Sequence, residues 1–600
     1  MPVMPFPRPR SITVSPGGAP PDAPFTVTAD PALPAEGYRL RTGPDGVHLA
    51  HADAAGLRYG LATLDQLRAS PGFPETGYAV DDHPDFPVRG FLLDISRDRV
   101  PTRRTLRRWL EVLSLARFNQ LELYTEHTFA FRDHADVWQD ASPLTAGDLR
   151  WLDAQCAALG IALVANQNTF GHMERFLALD RHRDRAENPD GFVRGGVRHP
   201  PSTLAPTPEN AAFAQALVAE VADGLRTRRV NIGADEPFEL GTGRSRDRAA
   251  RDGVGAVWLD HVGSLMEPWL AAGWTVQFWA DVLVGHPELL GALPDGSVPV
   301  VWQYDAPGTA RAVLAAAGGE AAGWKAVGAD LDALAEGFRS RTRMFREAGR
   351  EFWVAPGTGT WNSLLGRLDN ARENMADAAA AGLEHGATGY LLTCWGDQGM
   401  WEPPSPAFGP AVYGGAVAWC LDANRDLDLA PVLDAHVLLD AAGLAGSVLD
   451  RLGRLGESLG VPLLNASPLV RVLRPDAAHP VTDHPTEEAM DTAARTLEEC
   501  RRDLADADLA AADGDTVVRE LTHAVALAAF ALDLLRAQAH SGGPADTVDA
   551  ATAARLLRRL DPLLAEQRAC WLLRSRPGGL DDSMARFAVV RRLLTAAAGS

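Results

Sequence analysis

The stretch Arg229-Val-Asn-Ile-Gly-Ala-Asp-Glu-Pro-Phe-Glu-Leu240 decides how the rest of this chain reads. Val230 to Ala234 is a short apolar run that reads as a strand and leads into two adjacent carboxylates, Asp235 and Glu236. Pro237 has no N–H to give a ladder, so the strand must end there. A strand ending in paired acids is where a barrel enzyme mounts acid–base chemistry, because its site lies at the C-terminal ends of the strands. The pair alone is a weak signal: Asp81-Asp82 and Glu498-Glu499 also occur, and such pairs are ordinarily solvated surface. Successive strand side chains point to opposite faces. Both acids therefore reach one site only if the backbone turns after Ala234.

On both sides of this stretch the chain alternates strand and helix. The strand candidates are Val88–Ile95, Gln120–Tyr124, Ile161–Ala165, Val230–Ala234, Thr275–Ala280, Val298–Tyr304, Phe352–Ala355 and Tyr390–Trp395. Between them, helical spacing covers Thr102–Arg117, Thr145–Leu159, Pro208–Arg226, Gly253–Ala272, Leu331–Ala348 and Leu364–Ala381. Near-continuously apolar strands alternating with helices predict a (β/α)8 TIM barrel of the α/β class. An open doubly wound sheet would want a glycine-rich first turn, and none follows a strand here.

Residues 1–86 read as a small α/β domain: strand-like runs at Ile12–Val14, Phe25–Thr28, Tyr38–Arg41 and Val47–Ala50, then a helix over Ala54–Ala69. Residues 87–424 form the expected barrel, and residues 425–600 read as helical: Pro431–Ala442, Ser447–Leu459, Glu487–Ala507, Asp515–Ala539, Ala550–Arg574 and Ser583–Ala597. Bracing the barrel, walling a site and forming a homodimer are all open for the helical part.

Composition excludes several function classes. The net charge of -21 argues against nucleic acid as a partner. Lys325 is the only lysine, which removes the phosphate loop and makes Schiff-base chemistry a poor fit. The five cysteines are odd in number and widely spaced, fitting free thiols in a reducing compartment. The proline-broken start Met1-Pro-Val-Met-Pro-Phe-Pro shows no secretory leader, and no apolar window is long enough to span a membrane, so the expectation is a cytoplasmic protein. No His-x-His pair suggests a metal centre. The Gly456-Glu-Ser-Leu-Gly460 match ends a helical stretch, away from the strand-to-helix turn that a nucleophile elbow needs.

The strand ends carry carboxylates and tryptophans. They offer Asp94, Glu126-His127, the run Asn166 to His172, Asp235-Glu236, Trp279 with Asp281, Trp302-Gln-Tyr304-Asp305, Trp361-Asn362 and Trp395-Gly-Asp397. Eleven of the fifteen tryptophans lie between Trp258 and Trp419. Those on helical stretches (Trp258, Trp269, Trp419) are expected in the core. Indole faces pack on the C–H faces of pyranose rings while carboxylates and Asn take hydroxyls, so an acid-plus-tryptophan rim suits a sugar. The arginine run Arg97 to Arg108 reads as a solvated helix start.

Several of these motifs, in this order, resemble the β-N-acetylhexosaminidases of glycoside hydrolase family 20. They are Gly56-Leu-Arg-Tyr-Gly-Leu-Ala-Thr-Leu-Asp-Gln-Leu67, Asp85-Phe-Pro-Val-Arg-Gly-Phe-Leu-Leu-Asp-Ile-Ser-Arg97, Phe118-Asn-Gln-Leu-Glu-Leu-Tyr-Thr-Glu126, Gly171-His172 and Asn231-Ile-Gly-Ala-Asp-Glu236, with Trp279, Trp302 and Trp395-Gly-Asp397. Tyr124-Thr-Glu126 and Trp395-Gly-Asp397 depart from the commoner His-Leu-Thr-Asp and Trp-Gly-Glu. With Ala355-Pro-Gly-Thr-Gly-Thr-Trp-Asn362 and the helical C-terminal part, the chain is most similar to a smaller exo-acting bacterial subgroup.

The resemblance implies an exo-acting hydrolase that removes terminal β-linked GlcNAc or GalNAc from an oligosaccharide or glycoconjugate. It implies no metal and no organic cofactor. The substrate's 2-acetamido oxygen serves as nucleophile, an exception to the two-carboxylate rule. Glu236 is then the general acid/base and Asp235 orients the acetamido group. Arg89 grips the C3 and C4 hydroxyls, Glu126 and His172 support the acid/base region, and Trp279, Trp302, Trp361 and Trp395 line the pocket. Tyr304 is the candidate donor to the acetamido oxygen, and Asp397 binds the C4/C6 side. Two other readings compete: a retaining glycosidase with two ordinary carboxylates, drawing on Asp94, Glu126 or Asp397, and a sugar-binding barrel without catalysis.

Overall fold

The computed structural model describes residues 4–599 except 21, 71, 98, 317, 476–482 and 543–546. Its centre is a closed barrel of eight strands. In chain order these are β1 (Val88–Asp94), β2 (Gln120–Thr125), β3 (Ala162–Gln167), β4 (Arg229–Asn231), β5 (Thr275–Trp279), β6 (Ser297–Trp302), β7 (Trp353–Ala355) and β8 (Gly389–Cys394). Every neighbouring pair is parallel, and β8 closes on β1 with Tyr390 opposite Arg89. All eight expected strands form. Helices cover the outer face, so each strand is buried on both sides and must be apolar nearly throughout.

The barrel interior has a polar layer around Glu122. Glu122, fully buried on β2, accepts amide N–H groups from Gln120 (2.7 Å), Asn166 (2.8 Å), Asn231 (3.0 Å) and Gln277 (3.2 Å). Burial pushes this carboxyl above its ordinary pKa although all four amides oppose that shift.

Below the barrel lies a five-stranded sheet of Ser11–Pro16, Phe25–Ala29, Tyr38–Gly43, Gly46–His51 and Thr76–Asp82, packed on helix Ala54–Arg68. The strand Thr76–Asp82, which hydropathy patterning passes over, sits second in that sheet. It ends in Asp82, which is buried rather than solvated. Asp82 accepts from the Tyr38 hydroxyl (2.8 Å), the Trp419 indole (3.0 Å) and the Arg117 guanidinium (3.1 Å), tying sheet to barrel. Its neighbour Asp81 pairs with Arg39 and Arg41 at the surface.

The C-terminal part is helical, dominated by Glu487–Asp506, Gly514–Ser541, Ala550–Arg574 and Ala588–Gly599. A buried charge cluster fixes it to the barrel: Arg574 pairs with Asp513 (2.6 Å) and Glu520 (2.9 Å), and Arg108 of the first barrel helix pairs with Asp513 (2.9 Å).

Several helices depart from their expected spans, among them 583–597, which is split into Leu580–Ala585 and Ala588–Gly599. The stretch 331–348 breaks at Gly337 (φ +77), where a Cβ would lie 2.3 Å from an Asp377 carboxylate oxygen. The stretch 364–381 becomes Leu368–His385, stopped by left-handed Gly386. The stretch 431–442 forms a short turn, Leu429–Val432, followed by a π-turn over Leu433–Leu438. All five cysteines are free and buried. No helix among the described residues is long and apolar enough to cross a membrane.

Candidate active site

The ladder of β4 ends earlier than its sequence suggests, and the turn is tighter. Pairing stops at Asn231, and Gly233 (φ +66), Ala234 (φ +64) and Glu236 (φ +47) all adopt left-handed backbone. For Ala234 and Glu236 that conformation is strained. The surroundings hold it in place. Gly233 passes the backbone of Asn168 so closely that a Cβ would lie 2.8 Å from that side chain. The Thr169 hydroxyl donates to the Ile232 carbonyl (2.6 Å), and the Trp258 indole to that of Ala234 (3.4 Å). The N–H of Glu236 donates to an Asp281 carboxylate oxygen (3.1 Å). The turn begins at Gly233, before Ala234, and continues through Glu236, bringing both acids to His172.

His172 joins them. Its Nε2 is 3.4 Å from an Asp235 oxygen and 3.3 Å from a Glu236 oxygen. The approach requires Gly171: a Cβ there would be 2.4 Å from the Asp235 carbonyl oxygen. Burial opposes a charged imidazole, but the two carboxylates outweigh it and hold the His172 pKa well above the ordinary value. Asp235 shows the complementary balance. Burial alone would raise its pKa, yet His172 and the Asn168 amide, which donates at 2.7 Å, hold it low. The two acids differ in access: the Asp235 side chain is 11% exposed and that of Glu236 32%.

The pair forms the floor of a cavity of about 540 Å³, a size typical of small-molecule sites. Trp279, Trp302, Tyr304, Trp361 and Trp395 make its aromatic wall, with Asp397 on the same side. Tyr304 stacks on Trp302 (5.1 Å, 17°) and stands edge-on to Trp361 (5.2 Å, 89°). Gly357 leaves room for the Trp361 ring, whose N–H donates to Asn465 of the C-terminal part (2.6 Å). The Trp279 indole N–H, buried, has no acceptor among the described residues. Asp397 accepts from the Asn362 amide (3.0 Å), and burial raises its pKa. The tryptophans assigned to the core from sequence behave so: Trp258 and Trp419 are fully buried and Trp269 packs against the core.

Arg89 is not in this cavity. It lies at the start of β1, fully buried beneath the barrel. Its guanidinium donates to the carbonyls of Phe86 (2.7 Å) and Arg117 (2.8 Å) and to the Tyr59 hydroxyl (3.0 Å), and pairs with Glu36 (2.6 Å). Arg89 and Asp94 are at opposite ends of β1, roughly 17 Å apart at 3.3 Å per residue. An arginine of this segment that does line the cavity is Arg97, three residues past the C-terminal end of the same strand. It pairs with Asp94 (3.2 Å) and Glu126 (3.2 Å) and lies over the Tyr124 and Trp395 rings. The expectation of a solvated arginine run therefore fails at Arg97. Glu126 stands behind Arg97 rather than in the cavity wall, and the Tyr124 hydroxyl donates to it (2.9 Å). Asp94 is likewise spent on that loop, accepting the N–H groups of Ser96, Arg97 and Gly396.

Further wall residues had no marker in the sequence. Trp324 and Val327 come from the segment between β6 and β7, Leu464 and Asn465 from the C-terminal part, and Arg194 from a hairpin after β3. Among the described residues, no group of three or more His, Cys, Asp and Glu is arranged to hold a metal ion.

Comparison with known proteins agrees with this geometry. Residues 7–76 match the model of glycosyl hydrolase family 20, domain 2. A β-hexosaminidase of Akkermansia muciniphila is 28% identical over 233 residues, covering 35% of this chain and 47% of that protein. The matched region thus spans under half the length of that relative. Among solved structures, a β-N-acetylhexosaminidase aligns with a TM-score of 0.53 at 18% identity, covering 69% of this chain and 90% of the other. The exo β-N-acetylglucosaminidase of Vibrio harveyi, solved with N-acetylglucosamine, gives 0.52 at 15% identity, with 75% and 78% covered. At such identity the likeness speaks for the fold.

Proposed function

We propose, from the premise that this chain belongs to glycoside hydrolase family 20, that it is an exo-acting β-N-acetylhexosaminidase working by substrate-assisted catalysis. One observation carries the reading: adjacent carboxylates of unequal exposure, bridged by one imidazole, on the floor of a tryptophan-walled cavity. A proton shuttle must meet both the leaving oxygen and the incoming water, so it is the more exposed acid, Glu236. The buried acid held ionised, Asp235, is suited to accepting the acetamido N–H and to opposing positive charge.

In the first step the acetamido carbonyl oxygen bonds to C1 as the C1–O bond to the leaving group breaks. The leaving oxygen takes the Glu236 proton, and Asp235 opposes the charge of the oxazolinium ring. In the second, water attacks C1 and gives a proton back to Glu236, the ring opens, and the β-configuration is restored. Arg97 takes the place assigned above to Arg89, and Asp397 and the tryptophans hold the ring. An N-acetylhexosamine-terminated glycan is the substrate class.

The test is a pair of nitrophenyl glycosides. The β-GlcNAc compound should be cleaved and the β-glucoside spared, with GlcNAc-thiazoline a competitive inhibitor. Equal cleavage of both would remove acetamido participation.

A further inference from the structure

The leaving-group side of the cavity can be located from the acid. Glu236 gives its proton to the glycosidic oxygen, so the group that departs lies against Glu236 on the side away from the aromatic wall. This step rests on the hexosaminidase reading above.

That side is roofed by the hairpin Phe192–Arg194 and Val197–His199, closed by Gly195 (φ +57) and Gly196 (φ +78). Both glycines have the left-handed backbone that a two-residue hairpin turn demands. Phe192 stacks on His199 (5.2 Å, 25°), and the tip meets Val327, where a Cβ on Gly195 would be 3.0 Å from that side chain. The hairpin therefore places Arg194 firmly. Its guanidinium lies 3.6 Å over the Phe238 ring, two residues past Glu236. Arg194 and Glu236 both border the main cavity and a side chamber of about 150 Å³ between the hairpin and the His172–Glu174 turn.

The charge balance on this side is one-sided. Arg97, on the inner wall, is neutralised by Asp94 and Glu126. Arg194 has no carboxylate within ion-pair distance among the described residues, and Glu236 is the charge that opposes its burial. Arg341, on the same cavity, donates to the Gln303 side chain (3.1 Å) and likewise forms no ion pair there, though Asp330 and Asp281 lie near it. When Glu236 carries the catalytic proton, that opposing charge is lost, and the other carboxyl on the side chamber, Glu174, is pushed toward its neutral form by burial. In a chain of net charge -21, an uncompensated arginine beside the acid is a binding feature rather than a statistical residue of composition.

We propose that the natural leaving group carries an anion, a carboxylate, sulfate or phosphate on the residue next to the terminal N-acetylhexosamine, and that Arg194 is the residue that selects it. Arg341 adds to the field.

The experiment compares three aryl β-GlcNAc substrates, neutral, carboxylated and sulfated on the same phenol, in the wild type and in Arg194→Gln and Arg194→Lys. Leaving-group reactivity cancels when the ratio of kcat/KM for each anionic substrate to the neutral one is compared between wild type and variant. That ratio should fall about tenfold in Arg194→Gln, the order expected for one partly exposed charge-assisted contact. It should be partly kept in Arg194→Lys and shrink in the wild type as salt is raised. The larger fall in the carboxylate or the sulfate arm tells which anion the site prefers. Ratios that are the same in wild type and Arg194→Gln overturn the inference while leaving the hexosaminidase reading intact. Cleavage of none of the three substrates by the wild type overturns both.

Discussion

Gly171→Ala is a one-carbon perturbation whose cost follows from the close approach of two chains. The new Cβ would sit 2.4 Å from the Asp235 carbonyl oxygen and 3.0 Å from that of Glu236, while ordinary contact begins at 3.4 Å. The two chains must part by about 1 Å, and both obstacles are backbone, so no side chain can swing clear. Whichever chain yields, the imidazole moves relative to the acids, because His172 is the next residue and its 3.4 and 3.3 Å contacts reach across this gap. A misplacement of about 1 Å costs on the order of 100-fold in rate, or about 2.7 kcal/mol of barrier. The assay is kcat/KM on nitrophenyl β-GlcNAc beside a thermal melt. Gly263→Ala serves as control, since a Cβ there meets nothing within 4 Å. Gly171→Ala should lose about two orders of magnitude while the control keeps wild-type turnover. Retention of activity within about threefold in Gly171→Ala would show that the Gly171 approach does not set the acid geometry.

Glu236→Gln should lower turnover by about 10²–10⁴-fold, the usual worth of a positioned proton donor, with inhibitor binding kept in a calorimetric titration; unchanged turnover removes Glu236 from its role. Asp281 gives a stability prediction with a definite sign. Burial and the charge of Asp235 push its pKa up to about 8. An unfolded aspartate titrates near ~3.9. From about pH 4 to 8 the folded protein keeps a proton that the unfolded chain has lost, so stability falls as pH rises through that window and levels above it. Asp281→Asn removes the titration yet keeps an acceptor for the Glu236 N–H, so its melting midpoint relative to wild type should climb from pH 4 to pH 8. Parallel profiles would refute this. Arg89→Met should lower stability by about 3–5 kcal/mol through loss of a buried ion pair, with KM for the glycoside kept in the folded fraction. A raised KM without destabilisation would return Arg89 to the sugar site.

The barrel was legible because strands buried on both faces leave continuous apolar runs, and each kept its identity even where the strand is three residues long, as at β4 and β7. The acid pair was legible through Pro237. The turn that makes it useful starts earlier than expected, since nothing in Gly233-Ala234 announces that a non-glycine residue will accept positive φ. That conformation is imposed by Trp258, Thr169 and Asp281, all distant in sequence. Arg89 and Arg97 show a second limit. Both lie on the β1 segment eight positions apart, and residue type cannot say which end of a strand faces the site; strand direction can, since the site belongs to the C-terminal end. Applying that rule to Arg89 itself would have moved the assignment to Arg97. Arg194, Trp324 and Asn465 could not be found that way, because they come from a hairpin, an inserted segment and the C-terminal part, which carry no strand-end marker.

The open question of what the C-terminal helices do has a physical answer in Asp305. This buried carboxylate, just past β6, pairs with Arg367 of the barrel (2.5 Å) and accepts the N–H of Asn465 (3.1 Å). Asn465 in turn accepts the Trp361 indole N–H, and Leu464 beside it lines the cavity. Asn362, next to Trp361, bonds both Asp397 and Arg474 from the C-terminal part (3.0 and 2.9 Å). Two of the residues proposed to hold the sugar, Trp361 and Asp397, are thus oriented through groups that the barrel does not own. Walling the site and bracing the barrel are then one function. The Arg574–Glu520–Asp513–Arg108 cluster anchors the helices at one edge so that the segment around Asn465 can fix the aromatic wall at the other. A barrel without that segment would keep its acids and the Arg367–Asp305 pair but leave the buried Trp361 indole N–H without its acceptor, at a cost of about 1–3 kcal/mol.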